Sequence, residues 1–120
     1  MKILVVDDSI TMRRIIVNML KSSGYEDIVE ASNGREAICL MDGISLVLTD
    51  WNMPVMDGLS FLKEVRANAV WSAIPVIMVT TEGAQEEVLE ALRNGASDYV
   101  VKPFNKTGFI KKVENFLPLK

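Results

Sequence analysis

Asp7 and Asp8 follow the apolar run Ile3-Leu4-Val5-Val6, and Asp50 follows Leu46-Val47-Leu48-Thr49. If those runs are parallel neighbouring strands, three carboxylates converge on one edge of a sheet. Crowded carboxylates repel, and keeping them ionised is expensive unless a cation sits among them. Stability gives no reason for such a cluster, whereas chemistry does. Two more polar groups stand at the ends of similar runs: Thr80 after Val76-Ile77-Met78-Val79, and Lys102 after Tyr99-Val100-Val101. Each residue alone has an ordinary reading: a helix N-cap for Asp8, a good strand residue for Thr80, a solvated loop charge for Lys102. Together they are three anions, one cation and one hydroxyl at strand ends.

The chain contains no His and a single cysteine, Cys39. An internal disulfide and a Cys-based zinc site are therefore excluded, and a reducing compartment is implied. Cys39 itself is read as a small buried residue on a helix. An all-oxygen ligand set selects Mg²⁺, with Mn²⁺ able to substitute, over zinc or copper. Mg²⁺ takes one or two carboxylates and keeps waters that a phosphate oxygen can replace. A carboxylate nucleophile beside such an ion suits phosphoryl transfer, which needs positioning and charge stabilisation more than a protein base. A lysine ammonium can act on the transferred group as a point charge, and a threonine hydroxyl can donate to another of its oxygens.

The elements that must position these groups alternate. Short β-branched runs at 3–6, 28–31, 46–49, 76–80 and 99–101 read as strands, and the continuously apolar ones suit strands covered on both faces. Between them the spacing becomes helical: Met12, Ile15, Ile16, Met19 and Leu20 form one stripe, and Phe109, Ile110, Val113, Phe116 and Leu117 another. Shorter stripes are Ala37-Ile38-Met41, Leu59-Leu62-Val65-Arg66 and Val88-Leu89-Leu92. Gly24 and Gly95 stand where helices should end, and Asn33 with Glu36 reads as a capping box. Five βα units in succession predict a doubly wound α/β fold, one parallel sheet with helices on both faces. In such folds ligands bind beyond the C-terminal ends of the strands.

The 120 residues suit one domain, with 49% hydrophobic and 24% charged residues. A net charge of −3 argues against nucleic-acid binding. No apolar run is long enough for a signal peptide or a membrane span, so no membrane association and a cytoplasmic protein are expected.

Asp7-Asp8, Asp50-Trp51-Asn52-Met53-Pro54 with Met56-Asp57-Gly58, Thr80-Thr81-Glu82, and Tyr99-Val100-Val101-Lys102-Pro103-Phe104 resemble the receiver domain of two-component response regulators. Within that family the resemblance is to stand-alone chemotaxis regulators, and it spans essentially the whole chain. It implies a flavodoxin-like sheet order 2-1-3-4-5 with five helices, and a single receiver domain over 1–120 with no output domain. It also implies that Asp50 is the phosphoacceptor, and that Asp7, Asp8, Asp50 and the backbone carbonyl of Asn52 hold Mg²⁺. Thr80 and Lys102 would hold the phosphoryl oxygens, with a cis Lys102–Pro103 bond. Tyr99 would turn inward as Thr80 moves toward the phosphoryl group, while Asn52 and Glu82 would tune dephosphorylation.

The implied partner face comprises Gly83, Val88, Tyr99, Val101 and Lys112; Lys106, Lys111 and Lys112 read first as a solvated helix face, with Lys112 the best candidate among them for partner contact. It is less basic than in enteric regulators, because Ala84-Gln85 replace two lysines and Asp98 stands at a site commonly Gly or Asn. Arg13-Arg14 reads as the exposed side of the first helix, which in the family contacts kinases and phosphatases. The implied partners are a sensor histidine kinase as phosphodonor, a flagellar motor switch protein and a phosphatase, with the chain itself a monomer. The resemblance implies a signalling switch, not an enzyme. Two alternatives remain: a phosphorelay intermediate that passes its phosphoryl group to a histidine phosphotransfer protein, and an aspartyl phosphatase or phosphotransferase. The last fits less well, since haloacid-dehalogenase-type enzymes carry Asp-x-Asp and a cap domain.

Overall fold

Apolar strand runs and helical stripes alternate along the chain, and a computed structural model shows the elements they form for residues 1–81 and 85–118. Five strands, β1 (Lys2–Val6), β2 (Ile28–Ala31), β3 (Ile44–Asp50), β4 (Val76–Thr81) and β5 (Asp98–Lys102), alternate with five helices. The helices are α1 (Ile10–Ser22), α2 (Gly34–Ile38), α3 (Gly58–Ala67), α4 (Gln85–Arg93) and α5 (Lys106–Phe116). All strand pairs are parallel and the sheet order is β2-β1-β3-β4-β5, as expected. The chain therefore reverses its direction of winding between β1 and β3, where an open crevice forms at the C-terminal edge.

Alternate residues of the central strands supply two cores. Ile3, Val5, Leu46, Leu48 and Ile77 pack against α1 and α5 through Ile16, Leu20, Phe109 and Val113. Leu4, Val6, Val47, Val76 and Met78 pack against α2, α3 and α4 through Ala37, Phe61, Leu62, Val65 and Ala91. The hydroxyl of Tyr25 closes the first layer by donating to the carbonyl of Leu117 at 2.6 Å.

The local signals behave as the chemistry requires. Gly24 and Gly95 both adopt positive φ just past the ends of α1 and α4. Asn33 caps α2 by accepting from the amide of Glu36 at 2.8 Å, while the Glu36 carboxylate reaches back to the amide and hydroxyl of Ser32. Two expectations are corrected, and the cap of α1 is assigned. α2 is only five residues long, and Cys39 sits at its exposed C-cap, not in a core. The buried side of α4 is Ala91, leaving Leu89 51% and Leu92 41% exposed, so the apolar stripe of that helix faces solvent. Ser9, not Asp8, caps α1, accepting from the amide of Met12. Among the described residues no helix is long and apolar enough to cross a membrane.

Arg66 fastens the lower ends of three elements. From α3 it donates to the carbonyls of Gly95 and Ile74, each at 2.8 Å, and lies 3.4 Å from the Ser97 hydroxyl. The turn after α4 is thereby tied to the start of β4 and the lead-in to β5. Charged donors to carbonyls are worth more than neutral ones, and losing them leaves part-buried acceptors unpaired. Arg66→Met, which keeps the aliphatic stem, should lower the unfolding free energy by about 2 kcal/mol. Urea unfolding followed by tryptophan fluorescence reads this as a lower midpoint with unchanged slope.

Candidate functional site

The register of the sheet brings the polar strand ends together. Val6 pairs with Thr49, so Asp7 and Asp50 continue side by side from adjacent strands. Asp50 pairs with Val79, which puts Thr80 one step beyond it, and Thr81 pairs with Lys102. The carboxylate oxygens of Asp7, Asp8 and Asp50 lie within 4.8 Å of one another. Lys102 Nζ stands 3.4 Å from Asp7 Oδ2 and 3.5 Å from Asp50 Oδ1, bridging the two. The Lys102–Pro103 bond is cis.

Each acid is held differently. Asp7 is 1% exposed, and its Oδ1 accepts from the amide of Ser9 at 2.8 Å. Its backbone carbonyl accepts from Arg13, which also pairs with Glu30. Arg13 is thus a part-buried brace of the first strand end, whereas Arg14 is exposed as expected. Asp8 is exposed, and with capping left to Ser9 its carboxylate is free of that duty. Asp50 accepts from the amide of Trp51 at 2.8 Å. Burial pushes the Asp50 pKa up, the neighbouring Asp7 pushes it further, and Lys102 and the Trp51 amide oppose both. Thr80 is buried, and its hydroxyl has no hydrogen-bond partner among the described residues. A buried orphan hydroxyl is unfavourable unless something else completes it.

The loop past β3 closes the site. Asn52 is exposed directly beyond Asp50. Gly58 opens α3 so close to β3 that a Cβ there would stand 2.2 Å from the Asp50 carbonyl, and its amide donates to the Trp51 carbonyl. Asp57 caps α3 through the amide of Ser60. Met56 donates to the Pro54 carbonyl across Val55, whose φ is +72°. That makes a γ-turn of the rare positive-φ kind, centred on a β-branched residue for which it is strained. Sequence reasoning missed Ser9, Arg13, Gly58 and this turn; the Asp57-Gly58 pair was the one visible signal.

The other implied residues lie along the β4–β5 side. Tyr99 is half-buried on β5, with Val101 exposed on the same strand and Val88 half-buried on α4. Lys112 is not a free surface charge: its ammonium donates to the Tyr99 carbonyl, pairs with Asp98 at 3.3 Å and lies 4.5 Å from the centre of the Tyr99 ring. Lys106 and Lys111 are exposed. Glu82, Gly83 and Ala84 lie outside the described residues.

Residues 3–114 match the response regulator receiver domain family. The chain belongs to that family. This receiver is 50% identical over 117 residues to the chemotaxis protein CheY1 of Helicobacter pylori, covering 95% of this chain and 94% of the relative. It is 48% identical over 120 residues to the chemotaxis protein CheY homolog of Campylobacter jejuni, covering 98% and 92%. Among solved structures, the chemotaxis response regulator CheY4 of Vibrio cholerae is similar, with a TM-score of 0.86 at 36% identity over 97% of this chain and 98% of that one. The receiver domain of NtrX from Brucella abortus aligns with a TM-score of 0.89 at 28% identity, over 99% and 100%.

The donor set of the receiver fits a hard divalent cation. Oxygen atoms within 4.8 Å of one another are comparable with the span of about 4.2 Å across the ligand shell of Mg²⁺. Three carboxylates face one ammonium, so a further cation relieves repulsion that the Asp50 pKa already registers. The sign for stability follows. With its folded pKa above the unfolded one, Asp50 contributes most below the unfolded carboxylate pKa and that contribution is lost as pH rises through the folded value. Asp50→Asn should therefore be more stable than wild type at pH 7 in chelator. The gap should vanish below about pH 4 and narrow when Mg²⁺ is added. Urea unfolding at the two pH values measures it, and a variant less stable in chelator at pH 7 contradicts this electrostatic account. Relief of the positive φ by Val55→Asn should add roughly 1 kcal/mol on the same assay.

Proposed function

We propose that this receiver is a phosphorylation-activated switch of a two-component system, using Asp50 as phosphoacceptor and acting in chemotaxis. The observation that carries the reading is the grouping of Asp50 with Asp7, Asp8 and Lys102 beside an orphan Thr80 hydroxyl. A second support is that relatives about half identical in sequence, matched over nearly their whole length, are named chemotaxis proteins. The output is read as binding of a partner, the flagellar motor switch, and the setting as cytoplasmic.

Asp50 Oδ attacks the phosphorus of a phosphohistidine on the sensor kinase. The P–O bond forms as the P–N bond breaks, and the imidazole nitrogen keeps the electron pair. Asp7, Asp8, Asp50 and the Asn52 carbonyl would hold Mg²⁺, or Mn²⁺ in its place, which would supply charge neutralisation between the carboxylate and the incoming phosphoryl group. Lys102, already 3.5 Å from Asp50, pairs with a phosphoryl oxygen once Asp50 is esterified. The Thr80 hydroxyl donates to another phosphoryl oxygen, completing the hydrogen bond that it lacks. Drawing Thr80 toward the phosphoryl group opens space into which the half-buried Tyr99 ring turns, and the face that includes Val88, Val101 and Lys112 changes with it. By the family resemblance, Asn52 and Glu82 tune dephosphorylation.

The reaction makes one turnover on the protein itself and releases no product until hydrolysis, so the chain is a switch and not an enzyme in the usual sense. Asp50→Asn should take up no label from acetyl phosphate, and stoichiometric labelling at another residue would overturn the assignment. Mg²⁺ should change Trp51 fluorescence, and Asp8→Ala should weaken that response by tenfold or more in Mg²⁺ concentration. An unchanged titration in Asp8→Ala would place the ion elsewhere. Pull-down with beryllofluoride-activated protein separates the outputs: a motor switch protein supports chemotaxis, and a histidine phosphotransfer protein supports a relay instead.

A further inference from the structure

Asp98, Tyr99 and Lys112 form a three-part contact at the outer edge of the sheet. Asp98 Oδ1 accepts from the amide of Tyr99 at 2.7 Å, which fixes the carboxylate against the strand. The same oxygen stands 3.3 Å from Lys112 Nζ. That ammonium also donates to the Tyr99 carbonyl and sits 4.5 Å from the centre of the Tyr99 ring. One cation from α5 thus touches the carboxylate, the backbone and the aromatic face of two successive β5 residues. Only the ring contact depends on where the Tyr99 side chain points.

We infer that Asp98 is a positioning residue that holds the Lys112 ammonium over the Tyr99 ring and so biases the unphosphorylated receiver toward its resting state. The inference rests on the reading of Tyr99 as the element that turns. Lysine has a long flexible stem and a strongly hydrated head, so an ammonium at the surface stays in one place only when fixed groups hold it. The carbonyl of Tyr99 supplies one such group and Asp98 the other. With the ammonium held, turning the ring inward forfeits the cation–π contact, whereas the carbonyl and carboxylate contacts are indifferent to the turn. The clasp therefore acts on one of the two states, as any device that shifts a population must. It also explains why Lys112 is half-buried while Lys106 and Lys111 on the same helix are exposed.

The chain has two tyrosines, which makes the test direct. Labelled with 3-fluorotyrosine, it should give two ¹⁹F resonances. Tyr25, buried with its hydroxyl on the Leu117 carbonyl, serves as the internal reference. In wild type, Mg²⁺ with beryllofluoride should move the Tyr99 resonance. In Asp98→Asn and in Lys112→Gln, the unactivated Tyr99 resonance should already lie part-way toward the activated position. That corresponds to a rise of about two- to five-fold in the turned population, the size of an exposed cation–π contact. Lys112→Arg keeps a cation over the ring and should stay close to wild type. Unactivated Asp98→Asn and Lys112→Gln resonances that coincide with wild type, in a chain whose Tyr99 does respond to beryllofluoride, would overturn the clasp and leave the switch reading intact. A wild-type Tyr99 resonance unmoved by beryllofluoride, while Trp51 fluorescence responds, would overturn the turning of Tyr99 and the clasp with it.

Discussion

Three carboxylates whose ligand atoms lie within 4.8 Å of one another repel strongly at neutral pH unless positive charge stands among them, and Lys102 supplies one such charge. Much of the upper edge of the fold serves that arrangement. The parallel register of β1 with β3 sets Asp7 beside Asp50, and that of β4 with β5 returns Lys102 to the same edge. The Ser9 and Trp51 amides each donate to one of the acids, so fixed dipoles share the charge with the ammonium. Burial, and after it the neighbouring Asp7, still push the Asp50 pKa up. Crowded, partly buried carboxylates of this kind suit a hard divalent cation. The repulsion that opposes folding is the same quantity that favours the ligand.

The loop after β3 obeys the same constraint from the other side. Gly58 packs so tightly on the Asp50 carbonyl that no larger residue fits, and its amide is bonded to the Trp51 carbonyl. The cost of this path is the positive φ of Val55, 74% exposed at the tip of the γ-turn. Strain of this kind persists where surrounding contacts over-determine the backbone. Here Gly34 donates to the Met56 carbonyl, anchoring the loop to the start of α2.

Much of this was legible in the sequence because parallel strands advertise themselves. Continuous apolar runs ended by Asp7-Asp8, Asp50, Thr80 and Lys102 gave both the sheet and the contents of its C-terminal edge, since residue types at strand ends need no knowledge of packing. The sheet order and the individual roles came from family resemblance, not from periodicity. What stayed hidden depended on which face a neighbour covers. Val88, Leu89 and Leu92 have a helical spacing, yet α4 turns Ala91 to the core, leaving Val88 half-buried and Leu89 and Leu92 outward. Cys39 looked internal because α2 was expected to run on to Met41; the helix stops at Ile38 and leaves Cys39 outside while Met41 is still buried. Lys112 looked like a solvated charge because its three contacts come from a strand more than ten residues earlier.

These last features share a location. β5 is an edge strand with one neighbour, and α4 buries a single residue, whereas β1, β3 and β4 are covered on both sides. Segments with little buried apolar contact open and shift at the lowest free energy. Thr80 is the point where the rigid interior meets this looser side, because β4 pairs with β3 on one edge and β5 on the other. A charge change at Asp50 meets resistance from the packed strands and little from α4 and Tyr99. Arg66 limits the movement by tying the turn beyond α4 to the bottom of the sheet. Such a fold can answer a single phosphoryl group with a change in one exposed face while the rest of the molecule stays folded.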